Sequence, residues 1–139
     1  MNNLDQLTHE LFTFFNEFTS WENSVIRTSE LTVAEAHAIE VLGERGSMNM
    51  KSLAKQLGVT TGTTTVTVDR LEKKAYARRE PVKEDRRVHL ITLTDKGRQA
   101  FDEHHQYHCN LTEQIQSVLS DEETVQLLAI LKKINEEAF

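Results

Sequence analysis

Apolar residues recur every three or four positions through most of the 139-residue chain, and that rhythm breaks between Tyr76 and Leu93. Two runs there, Tyr76 to Val82 and Arg87 to Leu93, are rich in Val, Ile, Leu and Tyr. They flank the polar tip Lys83-Glu84-Asp85-Arg86. This pattern predicts a β-hairpin. Pro81, the chain's single proline, is tolerable if its strand lies on an edge, because proline has no N–H for a ladder.

Helices surround the hairpin. Leu4, Leu7, Leu11, Phe14, Phe15, Phe18, Trp21 and Val25 define one long amphipathic helix over residues 3–27. Thr32-Val33-Ala34-Glu35 reads as a capping box that opens a second helix, with Gly43 and Gly46 near its end. Lys51 to Leu57 is a short helix stopped by Gly58, with Leu53, Ala54 and Leu57 inward. After the hairpin, Thr94-Asp95 caps a long helix to about Leu119. Ser120-Asp121-Glu122-Glu123 is another capping box, opening a last helix with Val125, Leu128, Leu131 and Ile134 on one face. The order is α-α-α-α-β-β-α-α, a mainly α fold.

The fourth helix is written in unfavourable letters. Gly58 to Leu71, GVTTGTTTVTVDRL, holds six threonines and three valines, β-branched residues with modest helix propensity. A strand is the alternative reading. The caps, the glycines and the helical tail Asp69-Arg70-Leu71-Glu72-Lys73-Lys74 oppose it. On a wheel Thr64, Val68, Leu71 and Ala75 fall inward, while Gly62, Thr63, Val66, Arg70 and Lys73 face out. A short helix, a glycine turn, a second helix and a hairpin make a winged helix-turn-helix. Short side chains allow close approach in a major groove. Threonine offers a hydroxyl and a methyl to base edges, and arginine pairs with guanine or phosphate. The expected DNA-contacting set is Thr60, Thr61, Gly62, Thr63, Thr65, Val66, Thr67, Arg70 and Lys73 on the helix, with Arg86 and Arg87 at the hairpin tip.

Charge distribution supports this set. The net charge is −6, but residues 51–100 hold 12 Lys and Arg against 6 Asp and Glu. A basic middle between acidic ends is expected of a nucleic-acid face on an acidic scaffold, the alternative being an ordinary solvated surface. No apolar run approaches membrane-spanning length and no signal pattern opens the chain, so no membrane partner is expected. One cysteine rules out an internal disulfide framework and suits a cytoplasmic location. No glycine-rich phosphate loop or recognisable nucleophile motif is present, so an enzyme is not expected. A winged helix used only for protein interaction is the rival class, and it has no need of basic residues on both the helix face and the tip.

The run Leu53-Ala54-Lys55-Gln56-Leu57-Gly58-Val59-Thr60-Thr61-Gly62-Thr63-Thr64-Thr65, then Val68 to Lys74, Asp85-Arg86-Arg87 and Leu93-Thr94-Asp95-Lys96-Gly97-Arg98, resembles the MarR family of winged-helix transcription regulators. TTGTTT, LEKKAY, DRRVHL and the His104/His108 spacing look most like its fatty-acid-synthesis repressor branch. The resemblance implies a homodimer built from the first and last two helices, binding palindromic duplex DNA. It implies a wing whose Arg87 enters the minor groove, oriented by Asp85. It also implies a small-molecule effector, in this branch an acyl group that acyl carrier protein can deliver. Two positions depart from the family. Val66 stands where many relatives carry arginine, and Ala75 replaces the usual helix-ending glycine.

Independently of any family, the first and last helices carry more large apolar residues than a small winged helix can cover, Phe12, Phe14, Phe15, Leu127 and Ile130 among them. That surplus predicts an interface. The organisation is therefore an N-terminal dimerisation helix over 1–30, a DNA-binding region over 31–97 and C-terminal dimerisation helices over 98–139. The stretch Glu103 to Cys109 places His104 and His108 four apart on one helix face, a spacing that can hold zinc if Cys109, His37 and Glu residues of the first two helices complete the site. The preferred expectation is no cofactor, with these four residues as effector candidates. A zinc-responsive regulator is the alternative.

Overall fold

The computed structural model describes residues 2–139. The elements are α1 (Asn3–Ile26), α2 (Val33–Arg45), α3 (Met50–Leu57), α4 (Thr61–Lys73), β1 (Ala77–Val82), β2 (Asp85–Leu93), α5 (Asp95–Gln116) and α6 (Asp121–Glu137). The fold is mainly helical with one two-stranded antiparallel sheet, the expected winged helix-turn-helix order. The chain divides into two compact units, one ending at Phe101 and one from Asp102 to Phe139, and α5 runs from the first into the second. Among the described residues no helix is long and apolar enough to cross a membrane.

Among the described residues each of the six helices begins on a side-chain oxygen that accepts a backbone N–H three residues on. The caps are Asn2, Thr32, Asn49, Thr60, Thr94 and Ser120. Each such cap contributes about 1 kcal/mol. Only one of the two expected capping boxes closes. Glu123 reaches back to the Ser120 N–H at 2.9 Å. Glu35 does not return to its cap backbone, because its carboxylate is taken by Lys74 at 2.8 Å.

In the first unit the core gathers Ala38, Ile39 and Leu42 of α2, Leu53 of α3, Val68 and Leu71 of α4, with Tyr76, Ala77 and Ile91. These side chains are almost wholly removed from water, each contributing on the order of 1.5–3 kcal/mol when it is a Val, Leu or Ile. This packing holds α4 helical despite its composition. The threonines also assist: Thr64, Thr65 and Thr67 donate their hydroxyls to the carbonyls of Thr60, Thr61 and Thr63, one turn back.

The hairpin is longer and tighter than expected. Val82 pairs with Asp85, so Asp85, Arg86 and Arg87 belong to β2, and the turn shrinks to Lys83 and Glu84. Tyr76 is not in the strand; it is buried at the end of the helix–strand connection. A register shift at Pro81/Val82 marks the proline. Met48 exchanges both backbone hydrogen bonds with Ile91 across the far side of β2.

Ala75 does not pack inward as the wheel suggested. It is exposed, with φ +67°, in the left-handed conformation that glycine favours. The Tyr76 N–H donates to the Leu71 carbonyl at 2.8 Å and the Ala75 N–H to that of Glu72 at 3.0 Å, a Schellman ending. The departure from glycine therefore leaves the turn geometry in place and puts strain on one alanine. α5 ends at Gln116 rather than near Leu119, because Val118 and Leu119 donate three residues back and tighten the chain before the Ser120 cap.

Candidate nucleic-acid interface

The outer face of α4 is built as its sequence suggests. Thr61, Gly62, Thr63, Val66, Arg70 and Lys73 are exposed, and Thr65 is half-buried at the margin. Thr60, also exposed, caps the helix and donates its hydroxyl to that of Thr63 at 3.0 Å. Thr67 is a correction. It lies only 6% exposed beside Val68, and its hydroxyl is spent on the Thr63 carbonyl. The helical turn carries position 67 to the domain side, where a hydroxyl that bonds its own backbone is tolerated.

At the wing, Arg86 and Arg87 are exposed. Asp85 accepts from the Arg87 N–H at 3.0 Å and from its guanidinium at 3.1 Å. The arginine side chain first, and the Arg87 N–H second, hold the Asp85 carboxyl below its ordinary pKa. The aspartate thus sets the arginine's direction while the guanidinium stays open to solvent.

Residues outside the sequence-derived set fix these two parts. Arg79 on β1 donates to Asp69 at 2.7 Å and to Glu72, both on α4, and its own N–H reaches Glu72 at 3.3 Å. Those contacts tie the wing to the recognition helix. At the far end of α4, Lys74 pairs with buried Glu35 and donates to the Glu30 carbonyl. Glu30 accepts from the Tyr76 hydroxyl at 2.6 Å and from Lys96 at 3.1 Å. The tyrosine hydrogen bond, then the lysine, lowers the Glu30 pKa from 4.5. Thr94 closes the same corner by donating to the Ala75 carbonyl at 2.5 Å. The only sequence signal for these contacts was charge type, since partners lie up to 66 residues apart.

The effector candidates lie on two helices, one on α2 and three on α5. His37 is exposed on α2, 3.9 Å from Glu22 of α1. On α5, the His104 and His108 rings lie 4.5 Å apart, and half-buried Cys109 has its sulfur 3.5 Å from His105 Nε2.

A capped helix presenting short polar side chains and two cations, braced to a hairpin with an oriented arginine, defines a winged helix-turn-helix DNA-binding regulator. Comparison with known proteins gives the family. Residues 31–89 match the model of the MarR family. The chain is 30% identical to the uncharacterized HTH-type transcriptional regulator YkoM of Bacillus subtilis (strain 168), over 86% of this chain and 80% of that one. It is similar to Streptococcus pneumoniae FabT, solved in complex with DNA, at 29% identity and a TM-score of 0.86, covering 96% of each chain. A MarR family protein from Bacillus stearothermophilus shares the fold at a TM-score of 0.92 and 23% identity, over 99% of this chain and 98% of that one. The chain belongs to the MarR family of transcriptional regulators, a family of DNA-binding proteins and not of enzymes.

Proposed function

We propose that the protein is a homodimeric repressor that binds a palindromic duplex, with α4 in the major groove and Arg87 in the minor groove. The observation that carries this reading is the paired presentation of the α4 face and the Asp85-oriented Arg87. Narrow minor grooves attract arginine. The homodimer accounts for exposed apolar side chains on each terminal helix: Leu4, Leu7, Leu11, Phe12, Phe14 and Phe15 on α1, and Val125, Leu128, Ile130, Leu131 and Ile134 on α6. Two recognition helices about 34 Å apart would then read successive major-groove turns. Sedimentation with and without a palindromic duplex tests it. A 32 kDa dimer retained on DNA is expected from the 16.0 kDa chain, and a 16 kDa species alone overturns the reading.

The resemblance of TTGTTT, LEKKAY and DRRVHL to the fatty-acid-synthesis repressor branch, with the likeness to FabT beside it, supports fatty-acid synthesis genes as the target; the branch resemblance alone implies an acyl group, free or on acyl carrier protein, as the effector. Mass spectrometry of ligand carried through purification tests that assignment. The close His104/His108 pair favours a second reading, a zinc-responsive regulator, in which other residues complete a four-ligand site. About one zinc per subunit surviving dialysis of untagged protein establishes the second reading; metal-free protein with full operator response removes it.

A further inference from the structure

Between the wing and the helix-turn-helix runs an open cleft of about 490 Å³. Lys51 of α3, Thr65 of α4, Arg79 of β1, and Arg87, His89 and Ile91 of β2 line it. By strand alternation positions 87, 89 and 91 point to one face, Ile91 is anchored in the core, and Val88 joins the lining from between its neighbours. The charged and titratable groups of this lining are Lys51, Arg79, Arg87 and His89, and α4 contributes only a hydroxyl. No carboxylate lines the cleft among the described residues. Arg79 and Arg87 are balanced by Asp69, Glu72 and Asp85. Lys51 and His89 have no ion-pair partner among the described residues. The cleft therefore carries positive charge that the protein itself does not neutralise.

The ridge between a major and a minor groove is a sugar-phosphate backbone. If α4 occupies one groove and Arg87 the next, that ridge must cross the space between them, and this cleft is that space. We propose that the cleft seats a backbone phosphate of the bound duplex, held by Lys51 and by an imidazole N–H of His89. The proposal rests on the DNA-binding reading above and adds two contacts to it.

The test uses the full chain and a duplex that the wild-type protein selects from a random-sequence pool. Binding is followed by fluorescence anisotropy across a salt series. Each phosphate contact adds about 0.9 to the slope of log affinity against log salt. Lys51→Gln should lower the slope by about one. His89→Ala, which removes the imidazole N–H, should weaken binding to every duplex about fivefold, the worth of one hydrogen bond. Both side chains are exposed, and circular dichroism checks that each variant folds. An unchanged slope in Lys51→Gln and unchanged affinity in His89→Ala, with Arg87→Ala still weakening binding, overturn the phosphate seat and leave the DNA-binding reading standing. Failure to select any duplex overturns both. Exchanging chloride for inorganic phosphate at matched ionic strength separates the other source of this chemistry. No change is expected, and release of DNA from wild type but not from Lys51→Gln makes the cleft a free-anion site and overturns the proposal.

Discussion

Lys74 Nζ lies 2.8 Å from the carboxylate of Glu35, a residue only 1% exposed and 39 positions earlier in the chain. The pair fastens the end of the recognition helix to the start of α2. Its two halves are not equivalent. Removing the lysine leaves a carboxylate buried without its cation, whereas neutralising the carboxylate leaves an ammonium that is about one-third exposed. Lys74→Met should therefore destabilise by about 2 kcal/mol, discounted for the lysine's solvent contact. Glu35→Gln should cost about 1 kcal/mol. Urea unfolding of the two variants checks the order, and an equal or reversed cost counts against this account.

Ala75 holds a left-handed backbone conformation at the Schellman ending of α4. Glycine there removes a steric penalty of about 1–2 kcal/mol while adding some freedom to the unfolded chain. Ala75→Gly should raise stability by roughly 0.5–1 kcal/mol, read as a higher urea midpoint at unchanged slope. A loss of stability would show that the alanine methyl is engaged in a way its exposure does not suggest.

The Glu30 corner responds to acid. Its carboxyl titrates below 4.5 in the folded protein, so between that folded value and about 4.5 the unfolded chain binds more protons. The contribution of Glu30 is complete above the unfolded value and is lost as pH falls through the folded one. Glu30→Gln should flatten the fall in thermal stability between neutral pH and pH 3, and a variant with the wild-type acid limb contradicts this assignment.

On the DNA face, Arg87→Ala should weaken binding to all duplexes and lower the salt slope by about one. Thr63→Ala should change preference among operator variants by about 1 kcal/mol instead. Thr67→Val should leave DNA preference alone, because that side chain is inside. Anisotropy titrations of the three variants on a small operator panel separate the cases. A change of preference in Thr67→Val would restore it to the interface.

Much of this was legible in the sequence because it is written in local signals. Helical period, capping residues, the change of period at the hairpin and the glycine-bounded short helix each depend on a few neighbouring positions. The Asp85–Arg87 contact, two residues apart, was expected only from the family resemblance. Thr67 was misplaced because a run of similar threonines carries no internal mark of which face each occupies; only packing against Val68 and Leu71 decides it. Ala75 extended a wheel beyond the last helical residue. The contacts that brace α4, Lys74 with Glu35 and Arg79 with Asp69 and Glu72, depend on elements meeting in space. One charged residue among many gives no hint of its distant partner.

The outer margin of β1 has a consequence for how copies of this protein can meet. The Arg79 N–H turns away from β2 and is taken by Glu72. By alternation the next outward position is Pro81, which has no N–H to offer. On the opposite side, β2 is closed at its base by Met48. A strand arriving from another chain therefore meets a satisfied donor and a missing donor on β1 and a bridged residue at the base of β2, and the charged side chains of Arg78 and Glu80 stand beside the β1 margin. Edge-to-edge growth through this margin is disfavoured, so any contact between copies is left to the helical surfaces.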